Sequence, residues 1–459
     1  MKTDTIAAIA TAMASSGIGI IRMSGNEAIE VADKIFYAKS KKSLKDCDTH
    51  TIHYGYIMNE NEIVDEVLVM LMKAPNSYTR EDTVEINCHG GVLVMQKILE
   101  TVVKYGARPA EPGEFTKRAF LNGRIDLTQA ESVIDSINSK NDFALKSSIS
   151  QLRGAVFYKI QNLREKIIHE TAYIESAVDD PEHFSLDGYE VHLSEVITNL
   201  KKEIKSLLDT ADQGKILKEG IHTVIVGKPN VGKSSLLNVL VGSNRAIVTD
   251  VAGTTRDIIE EQVNLNGITL NMVDTAGIHE TDDIVEKIGV DRAKEYLENA
   301  DLILYVIDSS QQLSEEDYHI AKMIQGKNVI ILMNKSDLKT KVEKDQLEYV
   351  KKISEHVITI SAKDGDGIDK LVTIVYDMFL NGNVTYNDEL IITNIRHKNY
   401  LSQALESLGL VEESIHDHMP EDFYSIDLMR AYETLGFIIG ESVEDDLAEE
   451  IFSKFCMGK

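Results

Sequence analysis

The sequence has few cysteines, the residues that cross-link secreted domains through disulfide bonds, and it lacks the long apolar runs that cross membranes. Its three cysteines, Cys47, Cys88 and Cys456, are spread over 459 residues. An odd count at such wide spacing fits neither a disulfide framework nor a zinc site, and it favours a reducing compartment. No run approaches the roughly 18 apolar residues that a bilayer-spanning helix needs. We therefore expect neither membrane integration nor disulfide bonds.

Positive charge is also scarce. The 48 lysines and arginines stand against 75 aspartates and glutamates, which gives a formal charge of −27. This balance opposes attraction to a polyanion, so a nucleic-acid substrate would need a local basic patch or a partner to hold it.

The stretch from Thr5 to Gly17 faintly resembles a signal peptide, but Asp4 interrupts its basic start and it contains no leucine. We expect a cytoplasmic location.

Length and periodicity predict several domains in one chain. With 43% apolar and 27% charged residues, the chain can build about three cores of ordinary domain size. Short strand-like runs and a helical stretch over 91–105 predict a compact α+β domain over residues 1–118. Apolar residues at helical spacing predict a first helical segment over residues 119–215. Within it we expect one long amphipathic helix from Leu145 to near Pro181.

The second half of the chain alternates between two patterns. Residues 216–380 combine apolar strand runs with helical stretches, as a mostly parallel α/β sheet does, and helical periodicity returns over residues 381–459. Helices on both sides favour insertion of the α/β unit into a helical domain, because the ends of such a unit commonly lie close together. Four separate domains in a row are the alternative. The predicted fold class is a multidomain α/β protein.

A glycine-rich segment lies between the apolar run 223–226 and a helix predicted to begin near Ser235. It reads Gly227, Lys228, Pro229, Asn230, Val231, Gly232, Lys233, Ser234. This is the pattern of a phosphate-binding P-loop, whose glycines let backbone N–H groups wrap phosphates at a helix N-terminus. Lys233 is expected to reach the β- and γ-phosphates, and Ser234 to coordinate magnesium. Ser235, the next residue, is also expected to bind the nucleotide. The segment predicts nucleoside triphosphate binding.

A second motif follows the strand run 269–273. It consists of Asp274, Thr275, Ala276 and Gly277. The Asp274 carboxylate can anchor the magnesium shell while Gly277 approaches the γ-phosphate. The motif predicts a γ-phosphate sensor.

Two further motifs indicate that the base is guanine. The run 329–333 leads into Asn334, Lys335, Ser336 and Asp337, and the run 357–360 leads into Ser361, Ala362 and Lys363. Asp337 can accept two hydrogen bonds from guanine's ring and exocyclic nitrogens, which adenine cannot offer together. The Ser361 loop can supply a backbone donor to the guanine carbonyl. Because all four motifs follow strands, at the edge where open α/β sheets bind ligands, we predict a GTPase domain of the P-loop class.

A polar segment between the P-loop and Asp274 occupies the position of the first switch of GTPases. It contains Thr249, Asp250, Val251, Ala252, Gly253, Thr254 and Thr255. Thr255 is the natural magnesium ligand, and a plain polar turn is the alternative interpretation. Position 278 is isoleucine, where many signalling GTPases place the glutamine that orients the attacking water. Another group must therefore orient that water.

Beyond these signatures, the chain resembles the bacterial MnmE (TrmE) family over its whole length. The resemblance rests on several separated segments: Pro75 to Asp82, His89 to Gly91, Arg108 to Thr116, Ala119 to Arg124, and the tail Cys456 to Lys459. It implies an N-terminal domain that is similar to folate-binding one-carbon enzymes, forms a homodimer and binds a 5-formyl- or methylene-tetrahydrofolate.

The resemblance also nominates residues for that folate site: Arg22, Glu81, Arg124 and Lys459. Cations suit the anionic glutamyl tail of a folate, and a carboxylate suits the donor-rich pterin edge. Without the resemblance, each would read as a solvated surface charge. Some relatives have lysine where Arg124 stands. The family places Cys456 near this pocket, which makes it a candidate catalytic residue, whereas a frayed, exposed thiol is the alternative.

For GTP hydrolysis, the resemblance implies a potassium ion in place of an arginine finger. The Asn230 side-chain carbonyl and the backbone carbonyls of Thr249, Val251 and Thr254 are the expected ligands, and they suit a large monovalent ion better than magnesium. The family assigns Glu286 to orient the attacking water. A solvated acid at the start of a helix is the alternative for Glu286.

The resemblance finally implies a reaction and a partner. With an FAD-dependent protein often called GidA, family members build a carboxymethylaminomethyl or aminomethyl group on carbon 5 of the wobble uridine of certain tRNAs. A heterotetramer with that partner is expected. Two other functions remain open from the sequence: an RNA-binding GTPase of ribosome assembly, and a one-carbon folate enzyme that a GTPase domain regulates.

Overall fold

The computed structural model describes residues 4–38, 42–243, 260–265, 267–273, 296–380, 390–442, 450–455 and 458. The chain divides into two compact units, and each is described by itself. The first combines Met1–Asn138, Ser148–Leu200 and Gln403–Lys459, and the second combines Ser139–Ser147 and Lys201–Ser402. The four-part domain division that the sequence suggests stays a prediction.

A seven-stranded sheet organises the N-terminal part of the first unit. Its strands are β1 Ile6–Ile9, β2 Gly19–Ser24, β3 Phe36–Ala38, β4 Thr51–Asn59, β5 Glu62–Met72, β6 Thr83–Cys88 and β7 Arg108–Pro109. They lie in the order β3-β4-β5-β6-β2-β1-β7, and neighbours are antiparallel except β1 and β7. Buried side chains alternate along β2 and β6, as expected when one face covers a core. The predicted α+β character of this part is confirmed.

Helices α1 Ala28–Ile35 and α2 Val92–Lys104 supply the other side of that core. The core includes Met23, Ile86 and Ile98, all without exposed surface. Helix α2 confirms the predicted helical stretch. Cys47 and Cys88 are buried free thiols in this core.

The remaining helices of the N-terminal half follow in order: α3 Glu114–Leu121, α4 Leu127–Ile137, α5 Asp142–Leu152, α6 Ala155–Asp179 and α7 Tyr189–Asp209. The single helix predicted from Leu145 is wrong, because Gly154 has a left-handed φ of 88° and separates α5 from α6. Glycine adopts that conformation without steric cost and commonly ends a helix. The predicted end near Pro181 is confirmed, since α6 stops at Asp179.

The second unit is built on a six-stranded sheet. Its elements are α8 Ala211–Glu219, β8 Ile221–Val226, α9 Lys233–Ser243, β9 Glu260–Leu265, β10 Ile268–Val273, β11 Leu302–Asp308, α10 Glu315–Met323, β12 Val329–Asn334, α11 Lys344–Ile353, β13 Val357–Thr359 and α12 Ile368–Leu380. The strand order is β13-β12-β11-β8-β10-β9, and all pairs are parallel except β9 with β10. Every residue of β11 and β12 is buried, as in sheets covered on both faces. The mostly parallel sheet is confirmed.

Two long helices close the sequence order, α13 Ile395–His416 and α14 Glu421–Ile439. Helix α14 packs along α6 within the first unit. Across the part of the chain that the structure describes, no helix is both long enough and apolar enough to cross a membrane.

Candidate functional site

The P-loop joins β8 to α9 at the carboxyl edge of the parallel sheet. Gly227 and Gly232 have φ values of 153° and 102°, and Asn230 has a left-handed φ of 63°. A Cβ at Gly227 would collide with the Val306 carbonyl, and one at Gly232 would collide with the Asn334 amide. Both glycines are therefore required for this close approach of backbone to neighbouring loops. Helix α9 begins at Lys233, two residues earlier than the sequence predicted.

The Lys233 side chain lies across the P-loop. Its ammonium donates to the carbonyl oxygens of Gly227 at 2.7 Å and Lys228 at 2.9 Å. Ser234 and Ser235, in the first turn of α9, are exposed. Positive helix-end charge, a lysine and accessible hydroxyls at one point can bind a phosphate chain and its counter-ion.

Asn334 connects three of the predicted motifs. Its side-chain Nδ2 donates to the Val231 carbonyl at 2.7 Å, and its Oδ1 accepts from the Ala362 N–H at 2.9 Å. The residue is buried, so these bonds are shielded from water. Asn334 therefore holds the P-loop, its own loop and the Ser361 loop in one constellation.

The two base-binding loops meet above β12 and β13. Ser336 N donates to Ile360 O at 3.1 Å, and the Ser361 hydroxyl lies 3.3 Å from Asp337 Oδ1. Asp337 and Lys363 are exposed, so the Asp337 carboxylate is accessible to a ligand. This arrangement leaves a carboxylate where a base with two adjacent donors can bind it.

Sequence reasoning missed two carboxylates that hold lysines of this site. Asp308 Oδ2 lies 2.7 Å from Lys335 Nζ, and Asp317 Oδ2 lies 2.6 Å from Lys228 Nζ. Both aspartates are buried. The available signal was position, because Asp308 ends an apolar strand run at the same sheet edge as the recognised motifs.

Several predicted site residues lie outside the described residues. They are Thr249, Asp250, Val251, Ala252, Gly253, Thr254, Thr255, Asp274, Thr275, Ala276, Gly277, Glu286, Cys456 and Lys459. Their roles stay predictions.

In the first unit, Tyr78 brings two of the predicted folate residues together. The Arg124 guanidinium lies 4.7 Å from the centre of the Tyr78 ring, and that of Arg22 lies 6.0 Å from it. The Tyr78 hydroxyl is 2.9 Å from the Thr116 hydroxyl. Two guanidiniums around one aromatic ring form a cationic, partly apolar surface.

Arg22 is already engaged on its other side. Its Nε and Nη2 each lie 2.7 Å from Glu85 Oε1, and its Nη1 donates to the carbonyl of Gly458 at 3.0 Å. Arg22, a residue of β2, thus links Glu85 of β6 to Gly458 near the end of the chain. Its contact with a folate glutamate stays a prediction.

The third described folate candidate, Glu81, is held by an ionic network centred on the buried Arg118. Its Oε2 accepts from the Ser24 hydroxyl at 2.8 Å and from Arg118 Nη1 at 3.1 Å. Arg118 also donates to Asp4 Oδ1 at 3.1 Å and to Glu114 Oε1 at 3.0 Å. The network fixes the direction of the Glu81 carboxylate.

The pKa values of the network's other carboxyls are lowered. The hydrogen bond from Arg108 holds the pKa of Asp4 below its usual range. Burial alone would raise the pKa of Glu114, but hydrogen bonds from Arg108, from the Glu111 backbone and from Arg118 more than offset this. These carboxylates therefore remain charged well into mild acid.

Comparison with known proteins gives consistent matches over the full chain. The family model of the MnmE helical domain matches residues 127–456, and that of the GTP-binding protein TrmE N-terminus matches residues 5–124. The tRNA modification GTPase MnmE of Lachnoclostridium phytofermentans is 55% identical over 460 residues, covering 100% of both chains. That of Clostridioides difficile is 51% identical over 457 residues, covering 99% of each.

A crystal structure of Era from Aquifex aeolicus bound to GDP and aluminium fluoride covers 41% of this chain and 67% of its own, at 30% identity and a TM-score of 0.29. At that TM-score the assignment rests on the sequence matches alone. Those matches agree with the P-loop constellation around Asn334. The chain is a GTPase and belongs to the MnmE (TrmE) family.

Proposed function

We propose that this chain is a potassium-dependent GTPase that takes part in modifying the wobble uridine of tRNA. With an FAD-dependent partner of the GidA type and a tetrahydrofolate one-carbon donor, it installs carboxymethylaminomethyl or aminomethyl groups at carbon 5 of that base. The observation that carries the GTP chemistry is Asn334, which joins the P-loop to both base-binding loops. The tRNA role is supported by full-length relatives named tRNA modification GTPase.

Guanine recognition is assigned to Asp337. The carboxylate is exposed, and the adjacent Ser361 hydroxyl limits its rotation at 3.3 Å. Guanine presents N1–H and a 2-amino group side by side, so it can donate two hydrogen bonds to one carboxylate. Adenine cannot donate this pair. Lys233, released from its two carbonyl partners, would then reach the β- and γ-phosphates.

Magnesium fits the start of α9. The Ser234 hydroxyl is exposed in the first helical turn, beside the Lys233 ammonium, and supplies an oxygen ligand of the kind magnesium prefers. Bound there, the ion would neutralise charge on the phosphate oxygens. Asp274 and Thr255, the other proposed contributors, lie outside the described residues.

Potassium is proposed at Asn230. This residue is exposed at the tip of the P-loop, and its left-handed backbone is one that asparagine adopts more readily than most residues. Its side-chain oxygen is therefore available to a cation at the phosphate side of the loop. No arginine finger can be identified in the sequence. A monovalent ion at this position would supply the positive charge that such an arginine contributes.

The folate site is proposed around Tyr78 in the first unit. Arg124 and Arg22 provide cationic groups beside an aromatic ring, and Glu81 provides a carboxylate held by Ser24 and Arg118. A folate carries an anionic tail, an aromatic ring system and a donor-rich pterin edge, which these three kinds of group complement. Cys456 and Lys459 are proposed as further contributors from the tail.

An apolar face on the N-terminal sheet supports a homodimer. Tyr54 is opposite Leu68 in the β4–β5 ladder, and Ile52 is opposite Met70 on the same face. Tyr54, Leu68 and Ile52 are 48%, 45% and 59% exposed. Adjacent exposed apolar residues on a sheet are typical of a contact surface, and a two-fold axis would pair this face with its copy.

The acidic composition supports a second protein in the complex. A chain with a formal charge of −27 repels tRNA over most of its surface. We assign tRNA binding mainly to a basic face of the FAD-dependent partner, and GTP-driven conformational change to this chain.

The deciding experiment is nucleoside analysis of tRNA from a strain that lacks this gene. Loss of the modified wobble uridine, restored by the wild-type chain but not by Lys233→Ala, is expected. Normal wobble uridines in the deletion strain would reject the proposal. Defective ribosome profiles with normal tRNA would instead indicate a GTPase of ribosome assembly.

A further inference from the structure

Strand β11 ends in Asp308, a residue that none of the nucleotide-binding motifs contains. β11 lies between β8, which leads into the P-loop, and β12, which leads into the loop of Asn334 to Asp337. Asp308 is opposite Asn334 in the parallel ladder. Its side chain therefore lies at the sheet edge between the phosphate-binding loop and a base-binding loop.

The Asp308 carboxylate contacts Lys335, in the loop after β12, and Ser310, in the segment that directly follows β11. Oδ2 accepts from Lys335 Nζ at 2.7 Å, while Oδ1 accepts from the Ser310 N–H at 2.9 Å and the Ser310 hydroxyl at 2.6 Å. Asp308 is 5% exposed. Burial alone would raise its pKa, but the hydrogen bonds from Lys335 and Ser310 keep the pKa below its usual value. The group is thus a fixed negative charge at neutral pH.

The pairing fixes the path of the Lys335 side chain. Lys335 directly follows the end of β12 and has a left-handed φ of 63°. Because its ammonium is held at the end of β11, its methylene stem runs from the base-binding loop towards the P-loop side. A nucleotide with its base at Asp337 and its phosphates at Lys233 must extend in the same direction.

We propose that Asp308 is a positioning residue for GTP: it fixes the Lys335 ammonium so that the lysine stem covers one face of the guanine ring. The stem contacts a ring face that guanine shares with hypoxanthine, whereas Asp337 binds the 2-amino group that only guanine has. Asp308 therefore contributes affinity for the purine ring, and Asp337 contributes discrimination at position 2.

The test compares GTP with inosine triphosphate, which lacks the 2-amino group, as ligands of the full-length chain. Asp308→Asn is expected to weaken binding of both nucleotides by the same factor, about three- to tenfold, the scale of one hydrogen bond. The KM for GTP should rise similarly while kcat at saturating GTP stays unchanged. Glu355→Gln, an equal charge change at an exposed carboxylate of the same unit, is the control and should alter neither affinity.

Two further variants separate positioning from general damage to the loop. Asp337→Asn should weaken the binding of GTP much more than that of inosine triphosphate, so the ratio of the two affinities should change. Asp308→Asn should preserve this ratio. In a Lys335→Ala background, Asp308→Asn should have no additional effect on affinity, because Asp308 acts through that lysine.

The proposal is overturned if Asp308→Asn leaves both affinities unchanged, changes their ratio, or keeps its full effect in the Lys335→Ala background. If Asp308→Asn fails to fold, Ser310→Ala decides, since it removes the hydroxyl that orients Asp308 and leaves the charge in place. It should weaken both nucleotides equally, by about two- to threefold. Unchanged affinities in that variant would then reject the proposal.

Discussion

Arg22 Nη1 donates a hydrogen bond to the carbonyl of Gly458, so the second strand of the protein holds its penultimate residue. Gly458 has a left-handed φ of 87°, and a Cβ there would lie 2.6 Å from the Ile9 carbonyl. Only glycine adopts this conformation at so close a contact without strain. Arg22 therefore serves the attachment of the chain end, in addition to any contact with a folate.

Replacing Arg22 by alanine should loosen the C-terminal segment. Hydrogen exchange of the backbone amides in residues 450–455 and at Gly458 should become faster, and folate affinity should fall by about 1–3 kcal/mol, because a hydrogen bond to a charged group is lost. GTP turnover should not change. Lys34→Ala removes an exposed cation of helix α1 in the same unit and is the matched control. Unchanged exchange in Arg22→Ala would contradict the anchoring role.

Replacing Arg124 by alanine should impair folate binding and leave GTP hydrolysis intact. Its guanidinium packs on Tyr78 in the first unit, whereas the nucleotide site belongs to the second. A loss of about 1–3 kcal/mol in folate affinity, measured by calorimetry, is expected from one charge-assisted contact. An equal loss of GTP turnover would show that the two sites do not function separately.

Hydrolysis should be fast in potassium and slow in sodium. Asn230→Ala should abolish that difference, because it removes the proposed side-chain ligand. Asn328→Ala, the same change at an exposed asparagine just before β12, is the control and should preserve the difference. Steady-state rates in matched chloride salts measure both. Equal rates of the wild type in the two salts would reject the potassium mechanism and leave the GTPase assignment unaffected.

Glu286→Ala should slow hydrolysis with GTP binding nearly intact. The carboxylate is proposed to orient the attacking water, a task that Ile278 cannot perform. Single-turnover hydrolysis and equilibrium binding separate the two steps. Asp282→Ala, a neighbouring acid, is the control. Normal hydrolysis by Glu286→Ala would identify Glu286 as a solvated surface acid.

The ionic network around Arg118 should make the first unit sensitive to acid. The pKa values of Asp4 and Glu114 lie below their ordinary values of 3.8 and 4.5, so the stability they contribute is present above those values and is lost as the pH falls through the lowered ones. Arg118→Met should destabilise the unit at pH 7, but by less than the ~3–5 kcal/mol of a fully buried pair, because Arg108 still pairs with Asp4 and Glu114.

Thermal unfolding followed between pH 7 and pH 2 checks this expectation, because the loss begins only near the ordinary pKa values and continues through the lowered ones. The wild type should lose stability in the acid part of the range, whereas Arg118→Met should lose less there, since the ion pairs of Arg118 that protonation would break are already absent. Parallel profiles for the two proteins would contradict the assignment of the acid response to this network.

Local sequence signals predicted the parallel sheet and the P-loop well, because both depend on nearby residues. The glycines at 227 and 232 serve backbone conformations that side chains exclude, and the apolar runs of β11 and β12 read directly as buried strands. The break at Gly154 was missed because apolar spacing continues across it from α5 into α6. A single left-handed residue divides a helix without disturbing that spacing.

Contacts between distant residues could not be predicted in this way. Asp308 and Lys335 are 27 residues apart, and Arg118 and Asp4 are 114 apart. Each pair forms only because strands or helices bring the residues together after folding. Charged residues of this kind read as surface groups in the sequence, and only burial among partners gives them a positioning role.

The assembly of the first unit from three separate stretches of chain bears on how the protein is made. Its last stretch begins at Gln403, so a ribosome must synthesise the whole second unit before the first can be completed. At ~5–20 residues per second this delay is on the order of ten seconds or more. During that time the surfaces of α3 and α4 that later contact Phe452 and Phe455 stay uncovered, as does the part of the N-terminal sheet that contacts Gly458. Nascent chains are thus exposed to chaperones, and to premature pairing with another copy, before the terminus arrives.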